Sequence, residues 1–144
     1  MKDLINLSKV AFASEYAFFV KSQFFHWNVE GPNFPQYHEL FGEIYQEVYE
    51  NIDPFAENIR KLGAYTPGSF SRFSMLSVID DEIELMTAEQ MLFELHNDCE
   101  NMQKIFQTVY QVAEANKEFG LANFYADRQD AHAKHCWMLK STLK

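Results

Sequence analysis

The sequence is poor in the residues that build turn-rich or cross-linked folds. Among its 144 residues are only 5 glycines and 4 prolines, a scarcity that disfavours a β-sandwich or barrel and favours long helices. Its 2 cysteines, Cys99 and Cys136, are too few for a disulfide framework, so we expect a reduced, cytoplasmic setting. The most apolar stretch, residues 10–25, carries Glu15 and Lys21, which indicates a buried helix rather than a membrane span.

Basic residues are scarce as well. The chain has 12 Lys and Arg against 21 Asp and Glu, and its net charge of −9 suits cations and repels nucleic acid or an anionic membrane unless a local basic patch exists. Apolar residues, by contrast, make up 47% of the chain and include 14 phenylalanines, enough for a core of large rings. Length and composition predict one domain spanning residues 1–144.

The few turn residues divide the chain into long helices. Apolar periodicity predicts helices over residues 3–29, from a turn at 30–33 to Leu62, from about 87 to about 117, and from about 121 to 143. Thr87 and Gln90 form the pattern of a capping box at the start of the third helix, and Phe119-Gly120 is expected to break the chain before the fourth.

Connection lengths predict the topology. Short turns make the first two helices antiparallel, and likewise the last two. The middle connection, residues 64–86 with a short helix expected around Ser71 to Val78, is long enough to cross a whole helix of about 45 Å. The predicted fold is therefore all-α, a ferritin-like four-helix bundle with one long crossover. A plain up-down bundle would leave that connection unusually long.

Two of the five histidines stand out as candidate metal ligands. No histidine has a glutamate three residues before it, which argues against a di-iron site inside one bundle. His26 and His38, however, each lie six residues from Pro32, so an antiparallel hairpin brings the two imidazoles to the same height. Two imidazoles make half a metal site. The alternative, two partly exposed histidines near a loop, stays open on this pair alone.

Asp53 and Glu57 are the candidate oxygen ligands. Their i, i+4 spacing puts them on one face of the second helix, yet they lie roughly 22 and 28 Å beyond His38 along the helix axis. One chain cannot hold one metal with all four groups, whereas two hairpins meeting antiparallel across a two-fold axis can. The alternative for Asp53 is structural, because Asp53-Pro54 also fits the N-cap and first position of a restarted helix.

Taken together, these motifs closely resemble the signature of the Dps family, the DNA-protection-during-starvation mini-ferritins. The resemblance spans nearly the whole chain and rests on His26-Trp27-Asn28-Val29-Glu30-Gly31-Pro32-Asn33-Phe34, His38-Glu39, Phe41, Tyr45, Asp53-Pro54-Phe55-Ala56-Glu57, Leu62-Gly63 and the final segment His132 to Leu139. It implies a hollow homododecamer of ferritin-like subunits that oxidises Fe(II), preferentially with hydrogen peroxide, stores ferric iron and protects against oxidative damage.

The resemblance also implies residue roles. Ferroxidase sites, mononuclear or di-iron, would lie between two-fold partners, with His26 and His38 from one chain and Asp53 and Glu57 from the other. Trp27 would lie near the iron and intercept oxidising equivalents, or else anchor the two-fold interface. The candidates for acidic residues lining three-fold pores are Asp127 and Asp130, whose alternative is an ordinary solvated helix face.

The chain departs from the family pattern at two positions near this site. Asn58 replaces the arginine of the family's Ala-Glu-Arg, with Arg60 as a candidate substitute, and Gly42 replaces an aspartate, which weakens a second iron position. Elsewhere, His132 and His135 are expected to be structural, although their i, i+3 spacing could bind metal. Cys99 is expected to be a core residue.

Two rival functions remain at this stage. A DNA-coating protein needs clustered cations, but the chain offers only scattered lysines, and twelve copies at −9 would carry about −108, so weak or no DNA binding is expected. The other rival is a structural shell that does not react with iron.

Overall fold

The computed structural model of the protein describes residues 1–144 and contains six helices and no strand. The helices are α1 (Lys2–Asn28), α2 (Phe34–Glu50), α3 (Ile52–Lys61), α4 (Phe70–Leu76), α5 (Ala88–Ala115) and α6 (Phe119–Leu143). Since α2 and α3 together make one bent helix, the molecule is a four-helix bundle whose single long crossover carries the short α4. The predicted all-α class, crossover and short helix are confirmed.

The second bundle helix is bent close to the restart that Asp53-Pro54 left open as an alternative, with a different residue at the N-cap. It was expected to continue to Leu62, but Asn51, with φ −102° and ψ 1°, separates α2 from α3. Asn51 also occupies the N-cap of α3, so the alternative that Asp53 caps a restarted helix is wrong. Pro54 consequently lies in the first turn of α3, where the missing backbone N–H has no intrahelical partner to lose.

The start of α5 matches its prediction, and the break before α6 does not. Thr87 Oγ accepts a hydrogen bond from the Gln90 backbone N–H, and Gln90 Oε1 accepts one from the Thr87 N–H, so the capping box is formed in both directions. The chain turns at residues 116–118 rather than at Phe119-Gly120. Lys117 takes the left-handed φ of 60°, and Gly120 lies inside the first turn of α6.

Aromatic rings join all four bundle helices at one level. Phe55 of α3 is fully buried, with its ring edge-on to Phe12 of α1 at 5.3 Å and to Tyr125 of α6 at 5.6 Å, and 6.0 Å from Phe106 of α5. The crossover is held by Phe73 of α4, which is 5.9 Å from Phe12. These contacts fix α3 against the rest of the bundle and thereby set the positions of Asp53 and Glu57. None of the helices has the length and apolarity that a membrane span requires.

Candidate metal centre

The histidine pair, His26 and His38, lies where α1 ends and α2 begins. Gly31, at a φ of +121°, forms the turn between the two helices, a conformation that favours glycine. The two imidazole rings are stacked, with centroids 3.8 Å apart and planes only 14° from parallel. The equal distances of the two histidines from the turn therefore do bring their rings together.

Reciprocal hydrogen bonds fix both rings. His26 Nδ1 lies 2.6 Å from the His38 carbonyl oxygen, and His38 Nδ1 lies 2.6 Å from the His26 carbonyl oxygen. A carbonyl oxygen only accepts, so each Nδ1 carries a proton and donates it. Each neutral ring is therefore left with its Nε2 lone pair free, and a backbone carbonyl on Nδ1 is the usual way of orienting a metal-binding histidine.

Gly42 provides the space that the His26 ring occupies. This glycine is buried in α2, and a Cβ at its position would lie 2.9 Å from Cε1 and 3.0 Å from Nδ1 of His26. A Cβ at such short distances would force the His26 ring to shift. The departure from the family's aspartate thus has a geometric consequence here, because the glycine lets His26 lie against the α2 backbone.

The other predicted site residues are exposed on the subunit surface. Trp27 is 64% exposed beside the histidine pair, and Asp53 and Glu57 project from α3 without a hydrogen bond or ion pair inside the chain. No group of three or more His, Cys, Asp or Glu side chains within one subunit is arranged to hold a metal ion. One subunit brings the two imidazoles together and leaves the two carboxylates apart from them.

Within the subunit, Arg60 bonds away from Glu57, and its substitution for the arginine missing at Asn58 stays a prediction. Its Nη1 donates to the Ala64 carbonyl oxygen at 2.8 Å, and its guanidinium lies 4.6 Å from the centre of the Tyr65 ring. Within the subunit it therefore fastens the end of α3 instead of approaching Glu57. The pore candidates, Asp127 and Asp130, are both exposed on α6.

Sequence reasoning missed a second cluster of the same residue types, buried between α1, α2 and α6. We call it the core ion network; it comprises Glu15, Glu47, Arg128, His132 and His135. His132 Nε2 lies 2.7 Å from Glu15 Oε1, and His135 Nε2 lies 2.8 Å from Glu47 Oε1. Arg128 donates to both carboxylates and so bridges α1 and α2 from α6.

The carboxylates of the core ion network are held ionised. Burial acts to raise the pKa of Glu47, but hydrogen bonds from His135 and Arg128 outweigh it and lower the pKa to about 2. Burial likewise opposes ionisation of Glu15, yet His132 and Arg128 keep its pKa below the ordinary value. Burial lowers the pKa of His135 despite the neighbouring Glu47.

One signal in the sequence points to this network. Glu15 lies within the most apolar stretch of the chain, where an unpaired carboxylate is not tolerated, so a buried partner is required. A search for Glu-x-x-His does not reveal the partner, because each histidine here has its carboxylate on another helix. The expectation that His132 and His135 are structural agrees with their hydrogen bonds.

Comparisons with known proteins agree with one another. A family model described as a ferritin-like domain matches residues 9–144. An uncharacterized low temperature-induced protein of Nostoc is 32% identical over 143 residues, 98% of this chain and 80% of the relative. DNA protection during starvation protein 2 of Bacillus anthracis is 28% identical over 99% of this chain and 97% of its own length. The crystal structure of Dps from Staphylococcus aureus superposes with a TM-score of 0.95 at 28% identity, covering 100% of this chain and 97% of the other.

Proposed function

The chain belongs to the Dps branch of the ferritin-like family, and we propose that it oxidises Fe(II) with hydrogen peroxide at sites shared by two subunits. The ferric product would be stored inside a hollow oligomer of twelve subunits, limiting oxidative damage. The observation that carries this proposal is the histidine pair, whose two rings are locked in the metal-binding tautomer with no metal-binding carboxylate beside them.

The second half of each site would come from a two-fold partner. Asp53 and Glu57 are exposed and carry no partner within the chain, so their charges are available to a neighbouring subunit. In an isologous dimer the histidine end of one α1–α2 hairpin meets the carboxylate end of the other, which makes two identical sites. The exposed Trp27 lies beside the histidine pair and would be covered by the same interface.

The donor set suits iron that changes oxidation state. Neutral imidazoles bind Fe(II), while the hard carboxylate oxygens of Asp53 and Glu57 stabilise the higher charge of Fe(III). Two Fe(II) ions supply the two electrons that reduce one hydrogen peroxide, and with two protons the products are two Fe(III) ions and two waters. Few protein ligands leave coordination positions open for the oxidant.

The first experiment measures binding and oxidation separately. Fe(II) is added anaerobically to the assembled protein, hydrogen peroxide follows, and ferric absorbance is recorded for wild type and His38→Ala. The matched control is His96→Ala, because His96 lies on α5 and pairs only with Glu100 at 3.6 Å. We expect His38→Ala to lose stoichiometric Fe(II) binding and rapid oxidation, and His96→Ala to keep both. Unchanged binding in His38→Ala would contradict the role of the histidine pair, and no ferric absorbance in wild type would favour a shell that does not react with iron.

A mixing experiment tests whether each site draws on two chains. His38→Ala and Asp53→Ala subunits are each inactive as pure oligomers, and they are then unfolded and reassembled together. In a mixed dimer one site carries both substitutions and the other carries neither, so about a quarter of all sites should regain oxidation. Sites contained within one chain would regain none.

DNA coating is the weaker candidate because the lysines are scattered along an acidic chain. Tight binding in a gel-shift at low magnesium would contradict the weak affinity expected from the charge of −9. The pore role of Asp127 and Asp130 and the cytoplasmic location stay predictions.

A further inference from the structure

We propose that Cys99 and Cys136 form a peroxide-reactive dithiol that closes to a disulfide within one subunit. The pair lies between α5 and α6, away from the iron site proposed above, and its chemistry needs no iron. Both cysteines are free and buried. Sequence reasoning assigned Cys99 to the core and gave Cys136 no function.

The two thiols face each other across the α5–α6 contact. Cys99 Sγ lies 2.9 Å from the His132 carbonyl oxygen, one helical turn before Cys136, and Gln103, one turn after Cys99, donates from Nε2 to Cys136 Sγ at 3.0 Å. Each sulfur therefore contacts the helical turn that neighbours the other cysteine. A disulfide requires that the two Cα atoms lie within about 7 Å, which adjoining turns of two packed helices allow.

The surroundings give the two sulfurs different roles. The neighbouring Cys99 thiol lowers the pKa of Cys136, and the hydrogen bond donated by Gln103 acts in the same direction. Burial raises the pKa of Cys99, which therefore stays protonated until it reacts. The thiolate is the nucleophile in cysteine chemistry, so Cys136 is the sulfur that attacks peroxide and Cys99 the one that resolves the product.

His132 is placed to take the proton from Cys99. Its Nδ1 lies 3.5 Å from Cys99 Sγ, and its Nε2 lies 2.7 Å from Glu15 Oε1. With Nε2–H donated to the ionised Glu15, the neutral ring presents the Nδ1 lone pair to the thiol. His132 and Glu15 thus form a line of proton acceptors that leads from Cys99 into the core ion network.

The reaction balances with hydrogen peroxide as the only oxidant. The Cys136 thiolate attacks one peroxide oxygen; an S–O bond forms, the O–O bond breaks, and hydroxide leaves and becomes water by taking a proton. Cys99, having passed its proton to His132, then attacks the Cys136 sulfur; the S–S bond forms, the S–O bond breaks, and a second hydroxide leaves and takes up that proton. Two thiols lose two electrons, and one peroxide becomes two waters.

The test uses the assembled, iron-free protein with one equivalent of hydrogen peroxide per subunit. After the reaction the protein is unfolded in an alkylating reagent and its peptides are identified by mass spectrometry. We expect wild type to lose both alkylatable thiols and to give a peptide pair joined through Cys99 and Cys136. Two thiols left alkylatable, or a disulfide joining two subunits, would overturn the proposal.

Variants separate the two steps and the two proposals. With dimedone present, Cys99→Ser should accumulate a trapped sulfenic acid on Cys136. Cys136→Ser should not react with hydrogen peroxide. Oxidation of Cys99 in Cys136→Ser would contradict the assigned roles. Helicity and oligomer size show that each near-isosteric variant is folded. His38→Ala should form the same disulfide as wild type, so failure of iron oxidation and failure of the dithiol are distinguishable.

Discussion

The histidine pair and the core ion network use the same side chains in opposite surroundings. In the network, His132 and His135 each bond a carboxylate on another helix, and Arg128 donates to both carboxylates. At the surface, His26 and His38 bond only backbone carbonyls, and Asp53 and Glu57 bond nothing within the chain.

The difference teaches what makes such a cluster reactive toward metal. A set whose carboxylate oxygens already accept hydrogen bonds from Arg and His contributes to the positions of its helices and leaves fewer free ligand atoms for a metal. A set whose imidazole lone pairs and carboxylates have no partner within the chain is stabilised by binding a cation. Residue type alone does not decide between the two, because the deciding factor is the partner that each atom already has.

The largest expected effect is on stability, from removing the cation of the core ion network. Arg128→Met leaves Glu15 and Glu47 buried without their shared partner, so the free energy of unfolding should fall by about 3–5 kcal/mol. Urea unfolding measures the loss. Arg72→Ala, at an exposed position of α4, should change it by less than about 0.5 kcal/mol. Near-equal losses in the two variants would mean that the network does not stabilise the fold.

Acid should weaken the same network in two stages. The pKa of His135 lies below its ordinary 6.5 in the folded protein, so the unfolded chain binds the extra proton and stability falls as the pH drops below about 6.5. The pKa of Glu47 is about 2 against 4.5, so a further loss accrues between pH 4.5 and 2, and solvent screening of this half-buried carboxylate keeps it to about 1–2 kcal/mol. The free energy of unfolding, followed by circular dichroism between pH 4.5 and 2, should fall less steeply with acid in Glu47→Gln than in wild type.

A matched pair of histidine substitutions compares the two regions directly. His132→Ala leaves Glu15 Oε1 buried without its hydrogen bond to His132, so the free energy of unfolding should fall by about 2 kcal/mol. His26→Ala removes a half-buried ring and should cost less than about 1 kcal/mol, while abolishing stoichiometric Fe(II) binding. Two results would contradict this assignment of roles. One is a loss of Fe(II) binding in His132→Ala without a loss of stability. The other is a larger loss of stability in His26→Ala than in His132→Ala.

The smallest expected effect on stability comes from Gly42→Ala. The added Cβ would displace the His26 ring, whose Cε1 lies 2.9 Å from that position, while alanine favours the helix by about 1 kcal/mol. The two terms nearly cancel, so unfolding should change little and anaerobic Fe(II) affinity should fall several-fold by titration. Gly120→Ala, with open space at its Cβ, is the control. Unchanged Fe(II) affinity in Gly42→Ala would show that the position of the His26 ring does not control iron binding.

Much of the fold was predictable because local signals fix helix ends. The capping box at Thr87 and the turn at Gly31 depend on neighbours in sequence, and both form as expected. The bend at Asn51 and the left-handed Lys117 were not predictable in the same way. Pro54 marks the restart of the helix only to within three residues of Asn51, and no glycine or proline occupies the left-handed position of Lys117.

The same division holds for the functional residues. The sequence by itself determined that His26 and His38 meet, because their spacing about one turn leaves no other register for an antiparallel hairpin. Only the tertiary structure decided which ring nitrogen is free, that Gly42 makes room for His26, and that Glu15 meets His132. Those facts depend on atoms from different helices approaching within hydrogen-bond distance, and no spacing along one chain contains that information.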